Sequence, residues 1–431
     1  MKRVMVRGNL ALVLFALLAL STHAQNLLVL PFENAGRNAR LEWLGEGLAE
    51  LTMERMTSAG WAAYSREEWA AAIEKLGLPG SARYSRATMF KIGAELDADF
   101  VVFGQFRAAG EELSLSARVL RMDPPGISPW LERSGRLDEL MTLHAELVWH
   151  LLAFLDRDLP LTRAQFVART PGHQMEAFEA YVRGILSSDE EQRLRLWLAA
   201  ARREPAWSRP AFALGWAYFL RGDCATALIW LNRVPPADEH GVEAGFSAGV
   251  CHLRRADLPR AASAFAALAQ QVALPEIWNN LGVALARQGR WKEAEAHWRR
   301  ALQADREEPA YWFNLGLAQL GQRDSAGAVR TFREVLSRAP ADAQARALLI
   351  ASLEQSGRAS EGATERQRAS ASLPAVGAEV SAAWARVSAR LDPASLRHEL
   401  KERRPAAASS GAERQEENPA LPSRSKQGGQ P

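Results

Sequence analysis

The chain has 431 residues, of which 48% are hydrophobic and 24% are charged. This composition is ordinary for a globular protein with two or three domains, and it excludes a wholly disordered chain and a multi-span membrane protein. The formal net charge of +3 comes from Lys2, Arg3 and Arg7, which precede every acidic residue, so the remaining chain is electrically balanced. Balanced charge without a basic block argues against a nucleic-acid partner.

Residues 1–24 have the pattern of a secretory signal peptide. A basic start leads into an unbroken apolar run at 10–20, and Thr22-His23-Ala24 places small residues where signal peptidase reads them. The apolar run would span about 16 Å as a helix, roughly half of a bilayer core, which argues against a permanent membrane anchor. We therefore expect cleavage after Ala24 and a mature protein that is periplasmic or secreted, without a membrane span.

Residues 25–160 predict an α/β module, a mixed sheet with helices. Short apolar or alternating runs predict the strands, which are 27–32, 61–64, 100–106 and 113–119. Helical spacing predicts helices at 41–59, 90–96 and 137–155, and Ser65 with Glu68 forms a capping-box pattern that opens another helix. Gly45 and Gly47 form a bare GxG inside the first helix, where close helix packing explains the pair better than phosphate binding does.

Three segments of this module resemble the TolB amino-terminal-like domain, which is related to CsgG-type and FlgO-type envelope domains. The segments are LLVLPFEN, LEWLGEGLAELTMERM and AELDADFVVFGQFRAAGEELSLSARVL. The resemblance implies an interaction domain of the cell envelope and carries over no catalytic residue. The chain departs from the family after the last segment, where Pro124, Pro125 and Pro129 interrupt a strand that the family has there.

A repeat with a period of 34 residues follows. Six positions of the unit that starts at Pro275 recur in the unit that starts at Pro309: Trp278, Leu281, Gly282, Ala294, Trp298 and Ala301 match Trp312, Leu315, Gly316, Ala328, Phe332 and Val335. This pattern is similar to the tetratricopeptide repeat (TPR), a pair of helices that buries its apolar face only on neighbouring pairs. Together with weaker copies it predicts an all-α superhelix of six units at 177–207, 208–241, 242–274, 275–308, 309–342 and 343–376.

The first helices of four units predict an apolar inner groove for a protein partner. By their position in the unit, twelve residues are expected to line it: Phe212, Trp216, Phe219, Phe246, Val250, Leu253, Asn279, Val283, Arg287, Phe313, Leu317 and Leu320. Such a groove would suit an amphipathic helix or an extended apolar segment. The alternative is that some of these side chains pack against the neighbouring helix.

Two further predictions concern cysteines and the chain end. Cys224 and Cys251 fall at the same end of the stack, where a disulfide could form in an oxidising compartment if the Cα atoms are close enough. Residues 377–404 predict a helical segment, and the polar composition of 405–431 predicts a disordered tail.

The sequence contains no GxSxG, HExxH or Walker motif and no cysteine pair at zinc spacing. We therefore predict no catalytic residue, metal or cofactor, and interpret the chain as a non-enzymatic exported adaptor that holds a protein partner. One alternative is a peptidoglycan or glycan binding module that uses the aromatic residues Trp43, Trp61, Trp69 and Trp130. Another is an enzyme whose site in the α/β module matches no known motif.

Overall fold

The computed structural model describes residues 26–36, 38–80, 83–156, 159–170 and 172–369. The predicted signal peptide, the predicted segment at 377–404, the predicted tail and the end of the sixth predicted unit lie outside these residues. Within the described part of the chain, no helix combines the length and the apolar character that a membrane span requires.

The N-terminal part is built on one mixed sheet, in which the described residues form seven strands. They are β1 (Asn26–Val29), β2 (Glu33–Asn34), β3 (Ala62–Ala63), β4 (Phe100–Ala109), β5 (Glu112–Arg121), β6 (Gly126–Ile127) and β7 (Leu131–Arg136). The central strand β4 pairs in parallel with β1 and β2, and antiparallel with β5. β3 extends the sheet beside β1, and β6 and β7 extend it beside β5.

Helices cover both faces of this sheet. They are α1 (Trp43–Ser58), α2 (Arg66–Lys75), α3 (Arg86–Glu95), α4 (Leu140–Leu155) and α5 (Arg163–Arg169). Adjacent strand residues point to opposite faces, so Leu27 packs in the core with α1 and α4, whereas Leu28 packs in the core with α2 and α3. The predicted mixed sheet with helices is confirmed.

Three of the described strands had no signal in the sequence: the two-residue strands β2 and β6, and the longer strand β7. The prolines at 124, 125 and 129 lie in the connection after β5, and β7 follows them, pairing with β5 from Glu112↔Arg136 to Ala117↔Leu131. The sequence of β7, LERSGR, is mostly polar because its side chains are exposed or half-buried. Leu131 is the only apolar residue of β7 and packs against the core that α1 and α4 share, so hydrophobic patterning does not report the strand.

The C-terminal part is a stack of helical hairpins, of which the described residues form six. Each hairpin pairs two consecutive helices: α6 (Met175–Leu186) with α7 (Glu190–Arg203), α8 (Ser208–Leu220) with α9 (Cys224–Leu231), α10 (Gly241–Arg254) with α11 (Leu258–Gln271), α12 (Pro275–Ala286) with α13 (Trp291–Ala304), α14 (Pro309–Gly321) with α15 (Ser325–Arg338), and α16 (Ala343–Gln355) with α17 (Ala359–Arg368). The predicted all-α superhelix of repeats is confirmed.

Glycines let the two helices of a hairpin approach closely. A Cβ on Gly215, Gly249, Gly282 or Gly316 would lie 2.7–2.8 Å from a side chain of the second helix, a distance that real Cβ atoms do not tolerate. The facing side chain is Leu231, Phe265, Trp298 or Phe332 in the four hairpins, and each is almost completely buried. The four hairpins therefore repeat one contact, in which a glycine of the first helix faces a large side chain of the second helix.

Replacing Gly282 with alanine should destabilise the stack. The new methyl group would meet the indole of Trp298, which is fully buried and donates a hydrogen bond from its Nε1 to the carbonyl oxygen of Asn279 at 3.1 Å. We expect overpacking to lower the free energy of unfolding by about 1–3 kcal/mol. The higher helix propensity of alanine relative to glycine offsets roughly 1 kcal/mol of this loss. Urea unfolding followed by circular dichroism measures the net loss.

The matched control is Gly362→Ala in α17, where the nearest atom would lie 3.5 Å from the new Cβ, an ordinary contact. This variant should be neutral or stabilised by up to about 1 kcal/mol. Equal effects of the two substitutions would contradict the packing argument.

Candidate functional site

The twelve residues predicted to line a groove lie mostly in the interior. Trp216 and Leu320 are half-buried and Arg287 is exposed, whereas the remaining nine are buried: Phe212, Phe219, Phe246, Val250, Leu253, Asn279, Val283, Phe313 and Leu317. Helical spacing identified the face on which they lie but not the distance to the next helix. Because neighbouring hairpins stack closely, these nine side chains fill the space between helices and offer little surface to a partner.

The open surface lies at the junction between the α/β module and the first hairpins. A cavity of about 490 Å³ opens there, and we call it the junction cleft. One wall comes from α1 and the start of α2, and the other comes from α6, α7, α8 and the start of α10. Phe212 and Trp216 are the two predicted groove residues that line it.

Close packing of α1 on α6 brings the two walls together. A Cβ on Gly47 would lie 2.8 Å from the ring of Phe178, and the rings of Trp43 and Phe178 make an edge contact with centroids 5.7 Å apart. Gly45 permits a still closer approach of α1 to the carbonyl oxygen of Phe32. The GxG of α1 therefore serves helix packing, and one continuous core runs from the sheet through α6 to Trp207.

The apolar part of the junction cleft comes mainly from the repeat side. Trp197 and Trp216 are half-buried, and Ile185 and Leu194 complete this wall. Leu220, at the end of α8, keeps 67% of its surface exposed at the cleft. A single exposed apolar side chain is ordinary on a protein surface, but Leu220 lines the same cavity as the apolar side chains of this wall, and such contiguous apolar surface is typical of binding sites.

The polar part of the cleft centres on Arg209, which is buried together with several carboxylates. Its guanidinium contacts Glu239 at 2.7 Å, Glu50 at 3.0 Å and Glu54 at 3.4 Å. Arg209 and Glu239 belong to the repeats, and Glu50 and Glu54 belong to α1, so this cluster ties the two parts of the chain together.

His173 extends the same cluster. Its ring nitrogens lie 2.9 Å from Glu204 and 3.2 Å from Glu54. Burial opposes a charge on His173, but its two carboxylate partners outweigh burial and raise its pKa. Beside the cluster, His240 stacks on Phe212 with ring centroids 4.2 Å apart.

Two glutamates of α1 have opposite pKa shifts. Burial raises the pKa of Glu50 to about 7, because the attraction of Arg209 compensates only part of the lost hydration. Burial also acts on Glu54, but Arg209 and the hydrogen bond with His173 outweigh it and lower the pKa of Glu54 to about 2. At neutral pH, Glu54 is therefore ionised, whereas the pH is close to the pKa of Glu50.

The four tryptophans of the glycan alternative do not form one surface. Trp43 and Trp69 are buried in the cores on opposite faces of the sheet, and Trp61 packs edge-on against Phe100. Trp130 is 40% exposed, next to Phe103. A sugar ring would therefore meet one of these indoles rather than an aromatic platform.

Cys224 and Cys251 are buried free thiols between two hairpins. Burial, followed by the hydrogen bond with Cys224, raises the pKa of Cys251. The thiols are therefore neighbours, and their oxidation to a disulfide stays a prediction. Among the residues that the structure describes, no three His, Cys, Asp or Glu side chains are arranged as a metal site.

Tetratricopeptide-repeat family models match the chain at 275–308 and at 313–374. The chain contains tetratricopeptide repeats. The matched residues cover α12 to α17, and the hairpins before them continue the same stack with the same glycine packing. The TPR models do not reach the α/β module. No curated protein matches the chain.

Several solved structures are similar to part of the chain. They include MamA, with 17% identity over 37% of this chain and 88% of that chain and a TM-score of 0.36. MamA (41-end) from Desulfovibrio magneticus RS-1 has 15% identity over 37% of this chain and 92% of that chain, with a TM-score of 0.36. YrrB, described as a TPR protein with an unusual peptide-binding site, has 15% identity over 39% of this chain and 88% of that chain, with a TM-score of 0.36.

The shifted pKa of Glu50 predicts a pH dependence of stability. The pKa of Glu50 is about 7 in the folded protein but near the ordinary carboxyl value of 4.5 when unfolded, so between these pH values the folded state binds more protons. The free energy of unfolding should therefore fall as pH rises through this window, by at most about 3 kcal/mol for this group.

The Glu50→Gln side chain resembles a protonated glutamate. In this variant the contribution of Glu50 to the decrease in the free energy of unfolding with pH should disappear. Melting temperatures at about pH 5 and pH 7.5 measure the difference between the two proteins. Glu293→Gln, at an exposed position in the TPR stack, is the control and should follow the wild-type profile. A Glu50→Gln profile parallel to the wild type would show that Glu50 ionises normally in the fold.

Proposed function

We propose that this protein is a non-enzymatic scaffold that binds a segment of a partner protein in the junction cleft. The observation that carries the proposal is the cleft itself, a cavity of about 490 Å³ between the α/β module and the first TPR hairpins. Its volume is in the range of ligand-binding cavities, and its walls combine aromatic, aliphatic and charged side chains. Such a mixture suits a peptide better than a uniformly apolar or uniformly charged ligand.

The position of the cleft supports a protein segment as the occupant. TPR stacks present the first helices of their hairpins to a partner, and α6 and α8 supply this wall of the cleft. The inner faces of the later hairpins are filled by their own side chains, so the first hairpins carry the surface that is still open. Trp197 and Trp216 supply the aromatic residues that protein interfaces favour.

An enzyme is the rival that the raised pKa of Glu50 would favour, since perturbed carboxylates in clefts are often catalytic. The contacts of Glu50 point to a structural role instead. Its carboxylate binds the buried Arg209, which also holds Glu54 and Glu239, and structural ion clusters shift pKa values in the same way. The glycan alternative lacks a shared aromatic surface, as described above.

The place of action is a second part of the proposal. The signal-peptide pattern of residues 1–24 supports export to the periplasm or beyond, and the resemblance of the α/β module to TolB-type domains supports an envelope complex. On this proposal the α/β module docks the protein in the complex while the junction cleft holds the partner segment.

Peptide selection tests the scaffold function. A random peptide library displayed on phage is panned on the full mature chain, and the selected peptides are then measured on Leu220→Ser. Leu220 lines the cleft and is exposed, so its loss should weaken binding about three- to tenfold without affecting the fold.

The matched control is Ile229→Ser on α9, which removes an aliphatic side chain that is 58% exposed and lies outside the cleft. It should leave the affinity unchanged. Selected peptides that bind both variants equally well, or a selection that yields no peptide above background, would refute the junction cleft as the binding site.

A further inference from the structure

We infer that the partner segment crosses the junction cleft in an extended conformation and pairs its main chain with the free edge of strand β3. This inference rests on the proposed function and names the conformation and the hydrogen-bonding chemistry of the bound segment. The recognised feature is main chain at the edge of the sheet, together with an apolar side chain beside it.

The junction cleft lies at the edge of the sheet that β3 forms. In the strand order of the described residues β3 is terminal, with β1 as its neighbour. Helices from both faces of the sheet line the cleft, α1 with Met53 and α2 with Arg66. A cavity that touches helices on opposite faces lies at an edge of the sheet, and Ala63 of β3 lines it there.

Ala63 presents two backbone groups at this edge. Tyr64 donates from its backbone N–H to the carbonyl oxygen of Leu27 in β1 at 2.9 Å, and Leu27 is the register partner of Ala63. Backbone groups of consecutive strand residues point to opposite edges, so the N–H and C=O of Ala63 point away from β1. Within the described part of the chain, neither group has a hydrogen-bond partner. Such groups on an edge strand are a template for pairing with another chain.

The free edge is one residue long. The backbone N–H of Trp61 donates to the carbonyl oxygen of Met56 at 3.0 Å, and that of Ser65 donates to the carboxylate of Glu68 at 2.6 Å. The N–H groups on either side of Ala63 along this edge are therefore already bonded. A partner strand would exchange main-chain hydrogen bonds with Ala63 and would gain the rest of its affinity from side chains.

The side chain that lies beside Ala63 would meet the apolar wall of the cleft. Cross-strand neighbours point to the same face of a sheet, and Leu27 packs in the core with α1 and α4. The partner residue that pairs with Ala63 thus directs its side chain to the α1 side, where Met53, Ile185 and Trp197 line the cleft. We therefore expect an apolar residue at this position of the segment.

The variant Ala63→Pro tests the donor of β3. Proline removes the N–H that points away from the sheet and leaves the hydrogen bond from Tyr64 to Leu27 in place, which an edge strand tolerates. It should weaken binding of the selected peptides about tenfold by fluorescence anisotropy, because a carbonyl of the peptide loses its donor. The matched control Ala63→Ser keeps the N–H and should stay within about twofold of the wild type, and melting curves followed by circular dichroism check the fold of both variants.

An amide-to-ester scan tests the same pairing on the wild-type protein. Each backbone amide of the tightest selected peptide is replaced in turn by an ester, which removes one N–H and leaves the side chains unchanged. Binding should weaken about tenfold at one position or at two adjacent ones, where the peptide donates to the carbonyl oxygen of Ala63. An apolar residue should stand at the most sensitive position or directly before it. Because this scan needs no protein variant, it decides the inference even if Ala63→Pro unfolds.

The outcomes separate the two proposals. Leu220-dependent peptides that bind a folded Ala63→Pro variant as tightly as Ala63→Ser overturn this inference and leave the scaffold function standing. Ester substitutions that weaken binding at no position overturn it as well, and so do losses spread along the whole peptide, which indicate a bound helix that uses its own N–H groups internally. Selection of no Leu220-dependent peptide overturns both.

Discussion

A helical repeat can bury its apolar face only against a neighbour, and this constraint shapes the whole molecule. At the start of the stack the neighbour of α6 is not another hairpin but α1 of the α/β module. Gly47 brings the two helices close enough for Phe178 to enter the core of the module. The module thus caps the stack, and the junction cleft lies beside this shared core.

Charge reinforces the same junction. Burial of the charged Arg209 side chain would cost free energy if it had no partners. Carboxylates from both parts of the chain surround it. Removing either part would break the contacts of Arg209 with Glu50 and Glu54 and would expose an apolar face. The two parts therefore stabilise each other, and a ligand in the cleft would contact a surface that neither part forms alone.

Periodicity predicted most of the fold. The 34-residue offset identified the hairpins, the recurring glycines and the aromatic residues that face them, because these positions satisfy local packing within one hairpin or between neighbours. The strands with apolar patterns and the capping box at Ser65 were equally visible. The polar strand β7 was not, since it carries one apolar residue, Leu131, and is recognised by its backbone pairing with β5.

The amino-acid sequence by itself determined the mixed sheet, the TPR stack and the chemical character of each helix face, because each follows from spacing along one or two elements. Only the tertiary structure decided which faces remain open. Nine predicted groove residues became core because hairpins stack at contact distance, and the cleft formed from α1, α6 and α8, whose contacts join residues far apart in the chain. Spacing specifies directions within an element, whereas a cavity depends on distances between elements.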